Sequence, residues 1–538
     1  MIKEDLKNIL DSIISKLKKE KKIFEIPNYT LNIPPSGITG DLSTNLPFLL
    51  SKQLNKIPLK VAEDIVSLVV GNRLFKDIKI DKKGFINFIF TEKRIKEELK
   101  RIWNKKSSYS RWSIEEGKRV LIEFVSANPT GPLHIGHGRS AALGDTISNV
   151  LEEVGYTVTR EYYVNDIGNQ INLLVESVKS RFFELRKMDY PFPEGGYKGE
   201  YIFKIAKEIK SGFSDDRIEK VAINKILDSI KEDLELFRVK FDIWFFESSL
   251  YKKGLVESIV NTLKKKGFLY EKDEALWFLS SRFYDDKDRV ILRRNKKPTY
   301  LASDIGYHAN KYQRGFDQII DIWGSDHHGY IERVRSSVTA LGNDVEKLKI
   351  IIYQMVHLFR GDKRVAMSTR KGEFVTLREV IDEVGVDACR FFFLSRSFNS
   401  TIDFDLELAK KKSLENPVYY IQYAYARISS ILREAKKKGI KLVFGNLDFI
   451  KEKEELELIK TLAFFPSLVK DMAYTLEVHH LTDYLLKLAK QFHSYYNKYR
   501  VLSDNREITL ARLTLVVCIR MVMEKGLNLL KISAPERM

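Results

Sequence analysis

The sequence predicts a multidomain α/β protein that ends in an all-α region. Three observations carry that reading. At about 100–200 residues per domain, 538 residues make about three to five domains. The stretch "KRVLIEFVSANPTG" is a buried-strand pattern closing in a turn, and the next residues read as helix and then strand, the opening of a parallel α/β domain. From about residue 406 to the end the pattern is nearly all helical.

Taken in order, residues 2–22 have helical spacing, and "YTLNIPPSGITGDLSTN" is a Pro/Gly/Ser loop. Helices are expected over 47–53 and 61–70, then a strand, a turn and a second strand in "IKIDKKGFINFIFT". This first unit is small and α+β, and "WNKKSSYSRWSIEEGK" reads as a polar connection after it. Leu143, Ile147, Val150, Leu151 and Val154 fall at helical spacing until Gly155, and "YTVTREYYV" is the next strand. Residues ~170–270 read as mostly helical and charged, an insertion into the α/β domain. Strand patterns return in "EALWFLSSRF", "RVILRR" and "DQIIDIWG". In the helical tail, the lysine clusters at 410–412 and 436–438 suit either a solvated face or a binding face.

Hydrophobic content of 44% excludes global disorder, and no apolar run reaches the ~18 residues that span a bilayer. The N-terminus is amphipathic and contains acids, unlike a signal or transit segment. Cys389 and Cys518 form no CxxC, so neither a disulfide framework nor a thiolate zinc site is indicated, and a reducing, cytoplasmic setting is expected. Lys plus Arg is 91 and Asp plus Glu is 73; the net +18 suits a polyanionic partner, nucleic acid first, and equally a merely lysine-solvated surface.

Two of only nine histidines, His134 and His137, flank Gly136 in "SANPTGPLHIGHGRSAALGDT", where a strand hands over to a helix. Gly136 and Gly138 allow close backbone approach, and a helix N-terminus offers unpaired N–H groups and partial positive charge. Phosphate suits such a place. Spacing of three puts both imidazoles on one side of the first turn, where they can donate to phosphate oxygens as charge builds in a transition state. A metal pair is the competing reading, without a third ligand nearby; satisfied turn histidines are the other.

This motif resembles the nucleotide-binding motif of class I aminoacyl-tRNA synthetases, in the form found in arginyl-tRNA synthetases. "EYYVNDIGNQI", "ALWFLSSRFYDDKDRVILRRNKKPTYLASDIGYH", "IWGSDHHGYIERV", "VAMSTRKGEFVTL", "NPVYYIQYAYARI" and "LLKISAPERM" resemble that family too, in family order, from about residue 30 to 538. The resemblance implies a Rossmann-type catalytic domain over 113–395, split by a helical insertion at about 172–270. It also implies an added tRNA-contacting domain over 1–112 and a helical anticodon-binding bundle over 396–538.

It further implies ligation of arginine to tRNA(Arg) through an arginyl-adenylate, with ATP cleaved to AMP and pyrophosphate. Catalytic roles fall on His134, His137, Ser368, Arg370 and Lys371. The family's second phosphate loop usually carries two lysines around Met-Ser; here Ala366 and Thr369 stand there, leaving Arg370 and Lys371 as the available cations. ATP would meet Pro132, Gly136, Gly138, Gly324, His327, His328 and Met367. A guanidinium is a planar, permanently charged fork of donors, so its pocket needs carboxylates. By resemblance these are Glu247 and Asp304, with Tyr300 beside them and Asn128 at the amino-acid end.

For tRNA, Tyr420, Tyr423 and Arg427 share one helix face, and Tyr495 and Tyr499 form an i, i+4 pair; such stripes serve as base platforms or as core. Met538 ends the family's terminal motif. Mg²⁺ is expected with ATP, no structural metal, no membrane partner, and a monomer. Small-molecule nucleotidylyltransferases share the two-histidine motif, but the long helical tail and basic charge disfavour them. An RNA-binding module without chemistry is the third reading, which Ala366 and Thr369 keep open.

Overall fold

The computed structural model describes residues 1–35, 37–365 and 375–538. Its centre is a five-stranded, wholly parallel sheet in the spatial order Leu348–Tyr353, Gln318–Gly324, Arg119–Glu123, Thr157–Val164, Ile243–Phe246. The strand that comes first in sequence, Arg119–Glu123, sits in the middle. The chain builds outward on one side, then crosses back to build the other. That order makes a topological switch point between Arg119–Glu123 and Gln318–Gly324, where open α/β sheets bind ligands beyond their carboxyl ends. Val120, Leu121 and Ile122 are wholly buried, as the apolar run requires.

The stretch 172–270 is not helix throughout. Helices Asn169–Glu184, Glu200–Glu208 and Asp215–Leu236 form an extended crossover between the second and third sheet strands. Ile243–Phe246 is then an edge strand of the sheet itself. Leu269–Lys272, Ala275–Phe278 and Arg289–Leu292 make a separate antiparallel sheet rather than adding to the parallel one.

The helix Ile135–Glu153 is buried along most of its length. It packs on the sheet side against Phe124, so closely that a Cβ on Gly144 would lie 2.2 Å from the Phe124 ring. It also packs against the helices Val386–Leu394 and Lys453–Thr475. The C-terminal bundle comprises Pro417–Lys437, Lys453–Thr475, His479–Lys498 and Arg506–Leu529.

At the N-terminus, helix Ile2–Lys19 precedes a four-stranded antiparallel sheet in the order Leu31–Asn32, Leu42–Thr44, Ile86–Phe90, Phe75–Ile80. This unit rests on the bundle: helix Glu92–Lys105 packs against Lys453–Thr475 and Arg506–Leu529. The connection after it is not a loose linker. Tyr109 is buried and donates to Glu98, and the Trp112 indole donates to the Pro466 carbonyl. Both cysteines are buried and unpaired, and no described helix is long and apolar enough to cross a membrane.

Candidate functional site

A cavity of about 430 Å³ opens at the switch point, within the size range of small-molecule sites. Of the residues singled out in the sequence, Asn128, His134, His137, Tyr300, Asp304, Gly324 and His327 line it.

His134 caps the helix Ile135–Glu153. Its Nδ1 accepts from the Gly136 N–H at 3.1 Å and the His137 N–H at 3.4 Å, while His137 Nδ1 accepts from the His134 N–H at 3.3 Å. This reciprocal cap satisfies orphan donors of the first turn. It also sets the chemistry. With each Nδ1 used as an acceptor, a neutral ring carries its proton on Nε2. Burial holds both imidazoles below their ordinary titration range, His137 well below it, where the neighbouring His134 adds to the effect. The pair is therefore neutral near pH 7, two Nε2–H donors at the positive end of a helix. Gly136 makes the fold-over possible: a Cβ there would lie 2.9 Å from His134 Cε1. Gly138 serves packing instead, since its missing Cβ would strike Leu377 and Phe393.

Of the two expected acids, Asp304 lines the cavity, whereas Glu247 is buried and is not part of the lining. Glu247 follows the edge strand and is 3% exposed; with the Asn165 amide oriented to satisfy its neighbours, its nitrogen donates to Glu247 Oε2 at 2.9 Å. Asp304 lies in helix Tyr300–Gln313. Burial, with Glu247 and Glu123 as like charges, raises Asp304 to about 7 against the counter-pull of His308. Burial raises Glu247 as well. Two carboxyls that are costly to ionise together are a seat for a cation. Tyr163, half-buried on the strand Thr157–Val164, is held protonated by desolvation and by the charges of Glu247 and Asp304.

Beneath them lies an arrangement the sequence reading missed. Asp321, Glu123 and Glu161 are registered side by side across three adjacent parallel strands. Lys311 Nζ bridges Glu123 at 2.5 Å and Asp321 at 2.6 Å; Arg314 and the Tyr307 hydroxyl pair with Glu161. His308 joins the Asp304 carbonyl at 2.8 Å to Asp321 at 2.9 Å. The available signal lies in "LIEFV" and "IIDIW", each a charge inside an apolar strand.

The remaining expected residues divide between the cavity lining and positions outside it. Asn128 donates to Gln170 at 2.6 Å. Tyr300 is half exposed at the mouth beside Gly168. His327 is exposed, with its ring near Trp323 and Tyr330, and the neighbouring His328 is exposed but not part of the lining. Pro132 lies in the irregular segment before His134 and is not part of the cavity lining. Met367, Ser368, Arg370 and Lys371, with Ala366 and Thr369, lie outside the described residues. Just after them Thr376 pairs with His134, and the Leu377 N–H donates to the Leu133 carbonyl at 2.8 Å.

On the bundle, Tyr420, Tyr423 and Arg427 do converge. Arg427 donates to the Tyr423 hydroxyl at 2.6 Å and lies over the rings of Tyr423 and Tyr496; His493 packs edge-on against Tyr420 and stacks on Tyr423. The expectation for Tyr495 is corrected: it is wholly buried, with its hydroxyl on Glu455, and cannot present a face to a base. Its neighbour Tyr496, 37% exposed, holds the outward position. Tyr499 is half-buried, with its hydroxyl on Glu454, and Met538 is half exposed.

Comparison with known proteins bears on the whole chain. Residues 2–90 match the arginyl tRNA synthetase N terminal domain, 98–392 the catalytic domain of class I (R) tRNA synthetases, and 421–538 the DALR anticodon binding domain. The arginine–tRNA ligase of Carboxydothermus hydrogenoformans is 46% identical over 524 residues, covering 95% of this chain and 94% of that protein. That of Syntrophotalea carbinolica is 47% identical over 528 residues, 95% of each. The Thermus thermophilus arginyl-tRNA synthetase structure superposes with a TM-score of 0.79 at 22% identity, over 98% of this chain and 99% of that one, a likeness of fold.

Proposed function

The chain belongs to the arginyl-tRNA synthetase family and ligates arginine to tRNA at the expense of ATP, and on that premise we propose how its own residues divide the work. Asp304 and Glu247 clasp the guanidinium, with Tyr300 at the mouth and Asn128 toward the amino-acid end. ATP enters as its Mg²⁺ complex beside Gly324 and His327. The arginine carboxylate attacks the α-phosphate in line and pyrophosphate leaves. The protein supplies no nucleophile; it orients the reactants and meets developing charge. His134 and His137 do the latter through their Nε2–H groups, aided by Ser368, Arg370 and Lys371. The terminal ribose hydroxyl of tRNA(Arg) then attacks the arginyl carbonyl and AMP departs.

The observation that carries this reading is one cavity lined both by neutral imidazole donors and by the under-neutralised Asp304. The N-terminal unit and the bundle hold the tRNA, with Tyr423, Arg427 and Tyr496 as the base platform. We place the protein in the cytoplasm as a monomer. ATP–pyrophosphate exchange tests the chemistry. Exchange should require arginine, with tRNA present, and lysine should not substitute. Exchange with another acid and no RNA would point to a nucleotidylyltransferase, and none at all to a binding module.

A further inference from the structure

Arg139 follows the second imidazole by two residues, about 3 Å along the helix axis. It is 1% exposed, and among the described residues it makes no hydrogen bond or ion pair with a carboxylate. Its guanidinium donates instead to two main-chain carbonyls, Gln354 at 2.6 Å and Ser397 at 2.9 Å. Burial without a counter-charge pulls it down to about 10. Arg390 shows how a simple staple is built here: wholly buried, it reaches the carbonyls of Leu530 and Phe237 but carries its own partner, Asp145, at 2.6 Å. A buried cation that lacks such a partner is a poor way to gain stability alone.

What Arg139 joins is specific. Gln354 directly follows the strand that ends at Tyr353, a cavity residue, and its N–H donates to the Phe398 carbonyl at 2.9 Å. The Ser397 hydroxyl donates to Glu477 Oε1 at 3.1 Å. Glu477 lies in the short turn between bundle helices Lys453–Thr475 and His479–Lys498. On the adjacent position, Ser140 Oγ accepts from the Val125 N–H at 3.0 Å, so the turn is also pinned to the strand end.

We propose that Arg139 is a positioning residue for adenylate formation, holding the His134–His137 turn in register with the bundle through Ser397 and Glu477. The inference rests on the roles given to the two histidines. The route is a chain of contacts between bundle turn and imidazoles, so removing either end loosens the same geometry.

The test is ATP–pyrophosphate exchange by the full chain with arginine and tRNA, comparing Arg139→Met, Arg139→Lys, Glu477→Ala, the Arg139→Met/Glu477→Ala double variant and His137→Ala. Arg139→Met should lower kcat about tenfold or more while KM for arginine stays within about twofold. Arg139→Lys should recover part of the rate. Glu477→Ala should lose less, and the double variant should be no slower than Arg139→Met, because the two act in one chain. If Arg139→Met does not fold, a kcat loss at constant KM in Arg139→Lys and Glu477→Ala supports the proposal. An unchanged kcat, a KM rise that accounts for the loss, or additive losses overturns it. His137→Ala separates the two failures: a slow His137→Ala beside normal Arg139 variants sinks only the positioning role, whereas a normal His137→Ala sinks the histidine reading itself.

Discussion

Glu123 and Asp321 lie directly opposite one another on adjacent parallel strands, and one buried ammonium, Lys311, bonds to both. Burial pulls Lys311 down, but Asp321, Glu123 and Glu161 more than offset it. Burial likewise pushes Asp321 up, yet Lys311 and His308 hold it below its ordinary value. Replacing Lys311 with Met would leave two facing carboxylates in the sheet centre. The expected loss is about 3–5 kcal/mol of unfolding free energy in a denaturant titration at pH 7. A loss below about 1 kcal/mol would mean the row of acids is neutralised some other way.

Arginine affinity should depend on pH through Asp304. Its carboxyl is raised to about 7, and only the ionised form pairs with a guanidinium. Affinity should therefore strengthen from pH 6 to 8, read by calorimetric titration, and Asp304→Asn should both weaken binding and flatten the profile. A wild-type affinity that is constant over this range would contradict the assignment.

The same shift has a stability consequence of opposite sense to an ordinary ion pair. A carboxyl whose folded pKa is raised destabilises the fold as pH climbs from its ordinary value of 3.8 toward 7. Without arginine, Asp304→Asn should raise Tm at pH 8 and change it little at pH 4.5, measured by scanning calorimetry.

Gly136→Ala puts a methyl 2.9 Å from His134 Cε1, so the capping ring must move. Exchange should slow by about tenfold with Tm nearly unchanged, as a misplaced catalytic donor implies. Gly138→Ala, whose methyl meets Leu377 and Phe393, should instead lower Tm.

Tyr495 and Tyr496 should separate stability from tRNA binding. Tyr495→Ala empties a buried site and should cost about 3–5 kcal/mol of stability. Tyr496→Ala should leave stability within about 0.5 kcal/mol and weaken tRNA binding by about 1–3 kcal/mol, by filter binding at fixed salt. The reverse pattern would return the RNA face to Tyr495.

These cases show where the sequence is legible. The strand–turn–helix around His134 can be read because turn residues, glycines and helical spacing agree locally over one short stretch. The strand Ile243–Phe246 cannot, being four apolar residues between helices, with no room for a period to show. Nor can the acid row: its members are 123, 161 and 321, and only strand register brings them level. Tyr495 and Tyr496 differ by one position, which on a helix is a rotation of about 100° and turns core into surface.

Neutral Nε2–H imidazoles that stabilise the charge building up as pyrophosphate leaves are the centre of the proposed chemistry. Single-turnover adenylate formation by His137→Ala, at saturating ATP, arginine and tRNA, tests them most directly. The expected rate is about 10²-fold below wild type with arginine affinity little changed; a rate equal to wild type would contradict the role.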